Sequence, residues 1–285
     1  MTAILVIRPS SLGDVVHALA LVTDVVAAHP GVAVDWVAEE AFVDLPALSP
    51  YVRRVIPLAL RRWRRAPLAT ATWRELAAFR RDVARERYEA ILDLQEQVKG
   101  GVVARLARGR RHGFDRASIR EPIATLFDDV HHAVPRALHF AQRCRALAAA
   151  ALGHPCAGAP RWNLVAPAAT EALPERPAIA VLHATSRESK LWPEERWRAL
   201  IGGFADAGFA TVLPWGSAAE RARSERFAAG VAHAVVPPRQ SLAALAALLS
   251  RIELSPAERE TTREQLNGIL GFIEQLQAVD TTGIE

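Results

Sequence analysis

The first residues able to do chemistry are Ser10-Ser11-Leu12-Gly13-Asp14, between a short apolar run and a stretch with apolar residues at helical spacing. A glycine-containing turn at a helix N-terminus offers free backbone N–H groups and the positive end of a dipole, which suit an anion. Asp14 has two readings there, a helix cap or a general base toward a substrate hydroxyl. The spacing matches neither a dinucleotide fingerprint nor a P-loop.

Three further groups carry chemistry. Arg61-Arg62-Trp63-Arg64-Arg65, with Arg53 and Arg54 upstream, is dense in guanidinium groups that bind carboxylates and phosphates in bidentate fashion. It reads as a solvated basic face, or as a site for an acidic small molecule, anionic lipid head groups or nucleic acid. Trp63 alone among these residues is a stacking aromatic, which argues against nucleic acid. His183-Ala184-Thr185-Ser186-Arg187-Glu188-Ser189-Lys190-Leu191-Trp192-Pro193 brings hydroxyls and a lysine to a strand-to-helix turn, which fits a diphosphate or an ordinary loop. Pro214-Trp215-Gly216 is followed by Glu220, either a surface carboxylate or a partner for a ribose hydroxyl.

The elements that must position these groups alternate. Strands are expected over 3–8, 32–37, 52–58, 88–94, 112–114, 178–183, 209–214 and 234–236. Helices are expected after Asp14 and over 73–87, 102–107, 138–152, 194–207, 218–229 and 242–249. Such alternation means parallel sheets with helices on both faces. The five prolines of 154–177 mark a linker. The expected fold is therefore α/β with two doubly wound, Rossmann-like domains, a first domain over 1–153 and a second over 178–250. Their ligands bind beyond the carboxyl ends of the strands.

Composition narrows the function classes. The chain has 285 residues, half of them apolar, so wholesale disorder is excluded. Its 35 basic residues comprise 33 Arg and two Lys, Lys99 and Lys190, and Lys190 falls in the third of the groups above. The formal charge of +4 averages two unlike stretches, because 251–285 holds three basic and seven acidic residues. Two cysteines make no disulfide scaffold or zinc site. No apolar run reaches the length of a membrane span, and the N-terminus does not read as a signal peptide, so the cytosol is expected.

Taken in order, several words resemble glycosyltransferase family 9, and within it the lipopolysaccharide heptosyltransferase I group. They are Ser10–Asp14, Asp35-Trp36-Val37 with Glu39-Glu40, Val55-Ile56-Pro57 with Arg61–Arg65, Lys99, His112-Gly113, Arg120-Glu121-Pro122, the stretch from His183 to Pro193 with Trp197, and Pro214-Trp215-Gly216. The resemblance implies a GT-B fold, with the acceptor site in the first domain and the nucleotide-sugar site in the second. It implies transfer of L-glycero-D-manno-heptose, with inversion, from ADP-heptose to the Kdo sugar of the lipid A-linked inner core. By position, Asp14 would be the general base. Ser10, Ser11, Arg61, Arg62, Arg64, Arg65, Lys99 and Arg120 would bind the acidic acceptor, and Gly13, Thr185, Ser186, Lys190 and Glu220 the donor. No metal or cofactor is implied. The implied partners are ADP-heptose, Kdo-lipid A and an anionic membrane surface at the cytoplasmic face of the inner membrane, and no nucleic acid.

The rhythm breaks after Ser250. Ser255-Pro256-Ala257-Glu258 reads as a capping box, and an amphipathic helix with Leu266, Ile269, Leu270, Ile273 and Leu276 on one face follows. Arg251-Ile252-Glu253-Leu254-Ser255, Gln265-Leu266-Asn267, Phe272-Ile273-Glu274-Gln275-Leu276 and Asp280-Thr281-Thr282-Gly283 resemble the C subunit of the aspartyl/glutamyl-tRNA amidotransferase. The expectation is a junction near residue 250 between unrelated reading frames, leaving an incomplete second domain, poor solubility and little transfer. Two alternatives stand beside this reading. One is a family 9 enzyme acting on a later core sugar. The other is a non-catalytic chimera whose tail binds amidotransferase subunits.

Overall fold

The computed structural model describes residues 3–168, 176–185 and 188–252. The chain divides into two compact units with the boundary between Val165 and Ala166, inside the proline-rich stretch. Both are α/β.

The first unit contains β1 (Ala3–Ile7), α1 (Leu12–Ala28), β2 (Ala33–Glu39), α2 (Asp44–Ala47), β3 (Val52–Leu58), α3 (Leu60–Trp63) and α4 (Thr70–Val83), then β4 (Arg87–Asp93), α5 (Val98–Leu106), β5 (Arg108–Phe114), β6 (Val130–His132) and α6 (Phe140–Leu152). The six strands form one parallel sheet in the order β3-β2-β1-β4-β5-β6. β1 and β2 are buried at every position, as central strands covered on both faces must be. On one face Leu5, Ile7 and Ile91 pack with Trp63, Phe79, Val83 and Val103. On the other, α6 packs on α1 and against β4 and β5. The strand order reverses between β1 and β4, so the loops after these two strands diverge and open a crevice at their carboxyl ends.

A buried carboxylate braces the β2–β3 edge. Asp35 is fully buried and is held by Arg53, Arg54 and the Tyr88 hydroxyl at 2.8–3.1 Å. Burial opposes its charge, but these donors win and its pKa falls below the usual carboxylate value. Arg53 and Arg54 are thus committed to the fold.

The second unit contains β7 (Ala178–Ala180), α7 (Glu194–Asp206), β8 (Ala210–Val212), α8 (Ala218–Ala228), β9 (Ala234–Val235) and α9 (Leu242–Ser250). Its described strands form a parallel sheet in the order β7-β8-β9. Val181, Ile201, Phe204, Phe209, Leu213 and Phe227 make its core. No helix of the described residues is long and apolar enough to cross a membrane.

The structure corrects several expected boundaries. The helix expected over 102–107 begins at Val98, and Gly100 and Gly101, poor helix formers, masked its start. Packing explains both. A Cβ at Gly100 would lie 2.4 Å from the Gln95 Cβ, and one at Gly101 would lie 2.5 Å from the Phe127 Cβ. The strand expected over 112–114 runs from Arg108, and those expected over 178–183 and 209–214 are three residues each. β6 was not expected, because Val-His-His shows no apolar pattern; as an edge strand it needs little burial. The amphipathic helix expected beyond residue 255 and the Ser186 donor contact lie outside the described residues.

Candidate active site

The crevice between β1 and β4 gathers the first group of site residues. Arg8 follows β1 directly, and its guanidinium is buried below Phe140, 4.5 Å from the ring centroid. It donates to the Leu94 carbonyl and forms a 2.7 Å salt bridge with Asp14 Oδ2. The same oxygen accepts from the Ser11 amide at 3.0 Å and the Ser11 hydroxyl at 2.8 Å. Asp14 therefore closes the first turn of α1, as the capping reading expects. All three bonds fall on Oδ2, and Oδ1 accepts none from the described residues. With 37% of its side chain exposed, Asp14 keeps an oxygen for a ligand. Partial burial opposes its ionisation, but the Ser11 amide and Arg8 outweigh it, and its pKa lies below the usual value.

Lys99, in the first turn of α5, reaches back 3.0 Å to the Ser10 hydroxyl. Burial and the like charges of Arg8 and Arg61 lower its pKa. Three cations thus converge on one half-buried place, an arrangement that favours a bound anion. The Ser10 amide donates to Gln95 Oε1, whose amide group donates to Gln97. Glu121 accepts from Gln97 Nε2 at 2.9 Å and from the Val98 amide at 3.0 Å, which docks the segment carrying Arg120 beside α5. Arg120 itself is exposed.

The arginine cluster divides. Arg61 donates its amide to Glu39 and lays its guanidinium over Phe42, 5.2 Å from the centroid. Glu39 is raised above its usual pKa by burial, which the Arg61 amide opposes. Arg62 turns away to Glu40 at 3.0 Å and Glu75 at 2.7 Å. Arg64 and Arg65 are exposed. The sequence reads these four arginines as one patch, and the structure resolves them into one at the crevice, one tied in surface pairs and two facing solvent.

In the second unit Thr185 and Lys190 are exposed, Lys190 in a single 3₁₀ turn from Glu188 before α7. Glu220 Oε2 accepts from the Gly216 and Ser217 amides at 2.7 and 3.0 Å and closes a capping box on α8. Beyond β8 and β9 lies a cavity of about 420 Å³ lined by Trp215, Arg221, Glu225, Pro237, Pro238 and Arg239. Trp215 donates to the Pro237 carbonyl at 2.8 Å, and Arg221 stacks over its ring. Behind this loop His183 is buried and bonded to the Ser224 hydroxyl at 2.7 Å, and burial lowers its pKa.

Comparison with known proteins decides the family. The sequence profile of glycosyltransferase family 9 (heptosyltransferase) matches residues 76–255. Lipopolysaccharide heptosyltransferase 1 of Escherichia coli K12 is 41% identical over 253 residues, covering 87% of this chain and 78% of that protein. Its counterpart in Pseudomonas aeruginosa is 39% identical over 87% of this chain and 70% of that protein. The solved E. coli heptosyltransferase WaaC with ADP superposes with a TM-score of 0.80 at 38% identity, covering 87% of this chain and 79% of that one. The chain belongs to glycosyltransferase family 9. Its fold matches the GT-B-type heptosyltransferase structures, and it is an enzyme of the glycosyltransferase class.

The family 9 match gives way to a different one at its end. The profile of the Glu-tRNAGln amidotransferase C subunit matches residues 254–285. The aspartyl/glutamyl-tRNA amidotransferase C subunit of Dechloromonas aromatica is 65% identical over 37 residues, 13% of this chain and 39% of that protein. Sequence reasoning missed two features of this family 9 chain. Arg8 read as a strand end, although a charged residue directly after an all-apolar strand is a signal that it must find a partner. The cavity beside Trp215 depends on Pro237–Arg239, whose approach no local pattern announces.

Proposed function

We propose that this chain transfers a heptose, with inversion, from ADP-heptose to a Kdo sugar of the lipopolysaccharide inner core. The geometry of Asp14 carries the reading. Its Oδ2 is fixed by Arg8 and Ser11 and its Oδ1 is open, while Lys99 reaches the adjacent Ser10 and feels the charges of Arg8 and Arg61. In the proposed step the acceptor hydroxyl oxygen attacks the anomeric carbon, the bond from that carbon to the diphosphate oxygen breaks, and the proton passes to Asp14 Oδ1. A carboxylate of low pKa suffices, because the hydroxyl becomes strongly acidic as its oxygen bonds to carbon. The electron pair leaves on ADP, and Lys190 with the Thr185 and Ser186 hydroxyls would balance the charge that develops there. Ser10, Ser11, Arg61, Arg64, Arg65 and Arg120 would hold the acceptor's carboxylate and phosphates, and Arg62 would join them by leaving its surface pairs. Glu220 would take the ribose, Gly13 would contact the donor, and the cavity beside Trp215 is large enough to take the adenine. No metal or cofactor is assigned a step.

The relatives support donor and acceptor. The E. coli enzyme has been solved with ADP-2-deoxy-2-fluoro heptose, and the curated relatives bear the name lipopolysaccharide heptosyltransferase 1. The test is mass spectrometry of a Kdo-terminated acceptor incubated with ADP-heptose and stoichiometric enzyme. The acceptor gains one heptose for each ADP released. ADP release without a heavier acceptor overturns the reading. The match at 254–285 also favours a second reading, in which the tail binds amidotransferase subunits, and capture of those subunits by the full chain checks it.

A further inference from the structure

We propose that Glu96 is a positioning residue of the acceptor side: through its side chain and its main chain it fixes the loop between β4 and α5, and so aims Lys99 and Arg120 at the acceptor's anionic groups. The proposal rests on the acceptor reading of those two cations. Glu96 is buried and stands at φ 60°, in the left-handed region that a glutamate enters only at a cost. Its carboxylate accepts from Arg143 Nη2, in the first turn of α6, at 2.6 Å. The same nitrogen donates to the Ser118 carbonyl at 2.7 Å, and the guanidinium lies over Phe114, 4.6 Å from the ring centroid. The Glu96 carbonyl accepts from the Glu121 amide at 3.1 Å. One residue thus ties together the loop after β4, the connection between β5 and β6, and the start of α6.

The groups hung on this knot are those proposed to meet the acceptor. Gln95, just before Glu96, accepts from the Ser10 amide at 3.3 Å. Gln97, just after it, donates to Glu121 at 2.9 Å, and Lys99 reaches the Ser10 hydroxyl. Arg120 directly precedes Glu121, whose amide is held by Glu96 and whose carboxylate is held by Gln97 and the Val98 amide. The charges of Glu96 and Arg143 reach the same buried Cys144 thiol as those of Arg8 and Asp14, so this ion pair lies near the one that holds the proposed base. Stability alone is a poor reason for the arrangement. A buried ion pair gains little over apolar residues of similar volume. Arg143 Nε is buried and finds no partner among the described residues, and the Glu96 backbone adds strain. Buried charge and backbone strain concentrated beside a site point to the placing of that site.

The two lysines of the chain make the test direct, because amine labelling read by mass spectrometry follows Lys99 with Lys190 as its control. Burial and the charges of Arg8 and Arg61 lower the Lys99 pKa, against the pull of Glu39 and Glu121. In E96Q and E96G the loop is released, and the pH midpoint of Lys99 labelling rises by about half a unit while that of Lys190 stays. Titration of the full chain with a Kdo-terminated acceptor, without donor, shows affinity lower by roughly tenfold in both variants, and ADP affinity does not move. E96G relieves the backbone, so it melts no lower than E96Q. R143Q leaves Glu96 charged and alone and melts several degrees lower, and E96Q/R143Q regains stability but not acceptor affinity. An unmoved Lys99 midpoint in both Glu96 variants, acceptor affinity that returns with stability in the double variant, or equal losses for acceptor and ADP overturns the proposal. A parent chain that binds no Kdo-terminated acceptor contradicts the proposed function, and the Lys99 midpoint still decides whether Glu96 places that side chain.

Discussion

The two units prepare their candidate site residues in opposite ways. In the first, Asp14 and its neighbours already hold one another: Arg8 grips Oδ2, Ser11 adds two bonds, and Lys99 is held by Ser10. In the second, Thr185 and Lys190 stand exposed, and among the described candidates Glu220 is the one fixed, by its capping box. The sheets differ in the same sense. β1 is buried at every position, while each residue of β7 is only partly covered. The difference fits what the proposed transfer would ask of each site. A base must already be aimed when the hydroxyl arrives, since a small misplacement costs orders of magnitude in rate. A diphosphate brings its own charge, and flexible cations can close around it at a modest cost in side-chain entropy.

Three substitutions probe this contrast, from the largest effect to the smallest. Lys190→Ala removes an exposed cation from the donor side. Single-turnover transfer should fall roughly a hundredfold with the melting temperature unchanged, and a large loss of stability would show that Lys190 is structural. Arg8→Gln removes a buried partner from the acceptor side and should show the reverse balance. Rate falls roughly tenfold and the melting temperature drops by several degrees, because neighbours of the buried guanidinium lose their donor. The pH profile gives the sign. Arg8 helps hold the Asp14 pKa below its usual value, so the carboxylate proposed as the base is ionised at neutral pH and is protonated as pH falls through that low pKa. Without Arg8 the acidic limb moves to higher pH, and an unmoved limb would detach Arg8 from Asp14. Glu220→Gln weakens the capping box of α8 and should cost about 1 kcal/mol in a denaturation curve. A donor affinity that falls far more than stability would mark Glu220 as a ligand contact.

What was legible in the sequence follows physical range. The buried strands and long helices were readable because their apolar run or period is local, as in β1 and α1. The element β6 and the one-turn helices α2 and α3 were not, since they are too short for a period to show. Asp14 and Ser10 were readable as candidates because they stand in a turn at a strand's end, and Lys99 because it is one of two lysines in the chain and belongs to the family 9 resemblance. The pairings that define their roles were not readable. Arg8 meets Asp14 across a turn, whereas Lys99 meets Ser10 from 89 residues away. The same range limit made Arg53 and Arg54 look like part of an anion site, when both serve Asp35. The change of family near residue 254 was legible in the words of the tail, which need no fold to be read.

The central claim is that Asp14 is the base and that the fold aims it. The most direct test is single-turnover transfer from ADP-heptose to a Kdo-terminated acceptor by the parent chain and by Asp14→Asn, with acceptor affinity measured in parallel. The account predicts a fall of roughly a thousandfold in the transfer rate with acceptor affinity nearly unchanged. Transfer by the Asn variant at the parent's rate would contradict it.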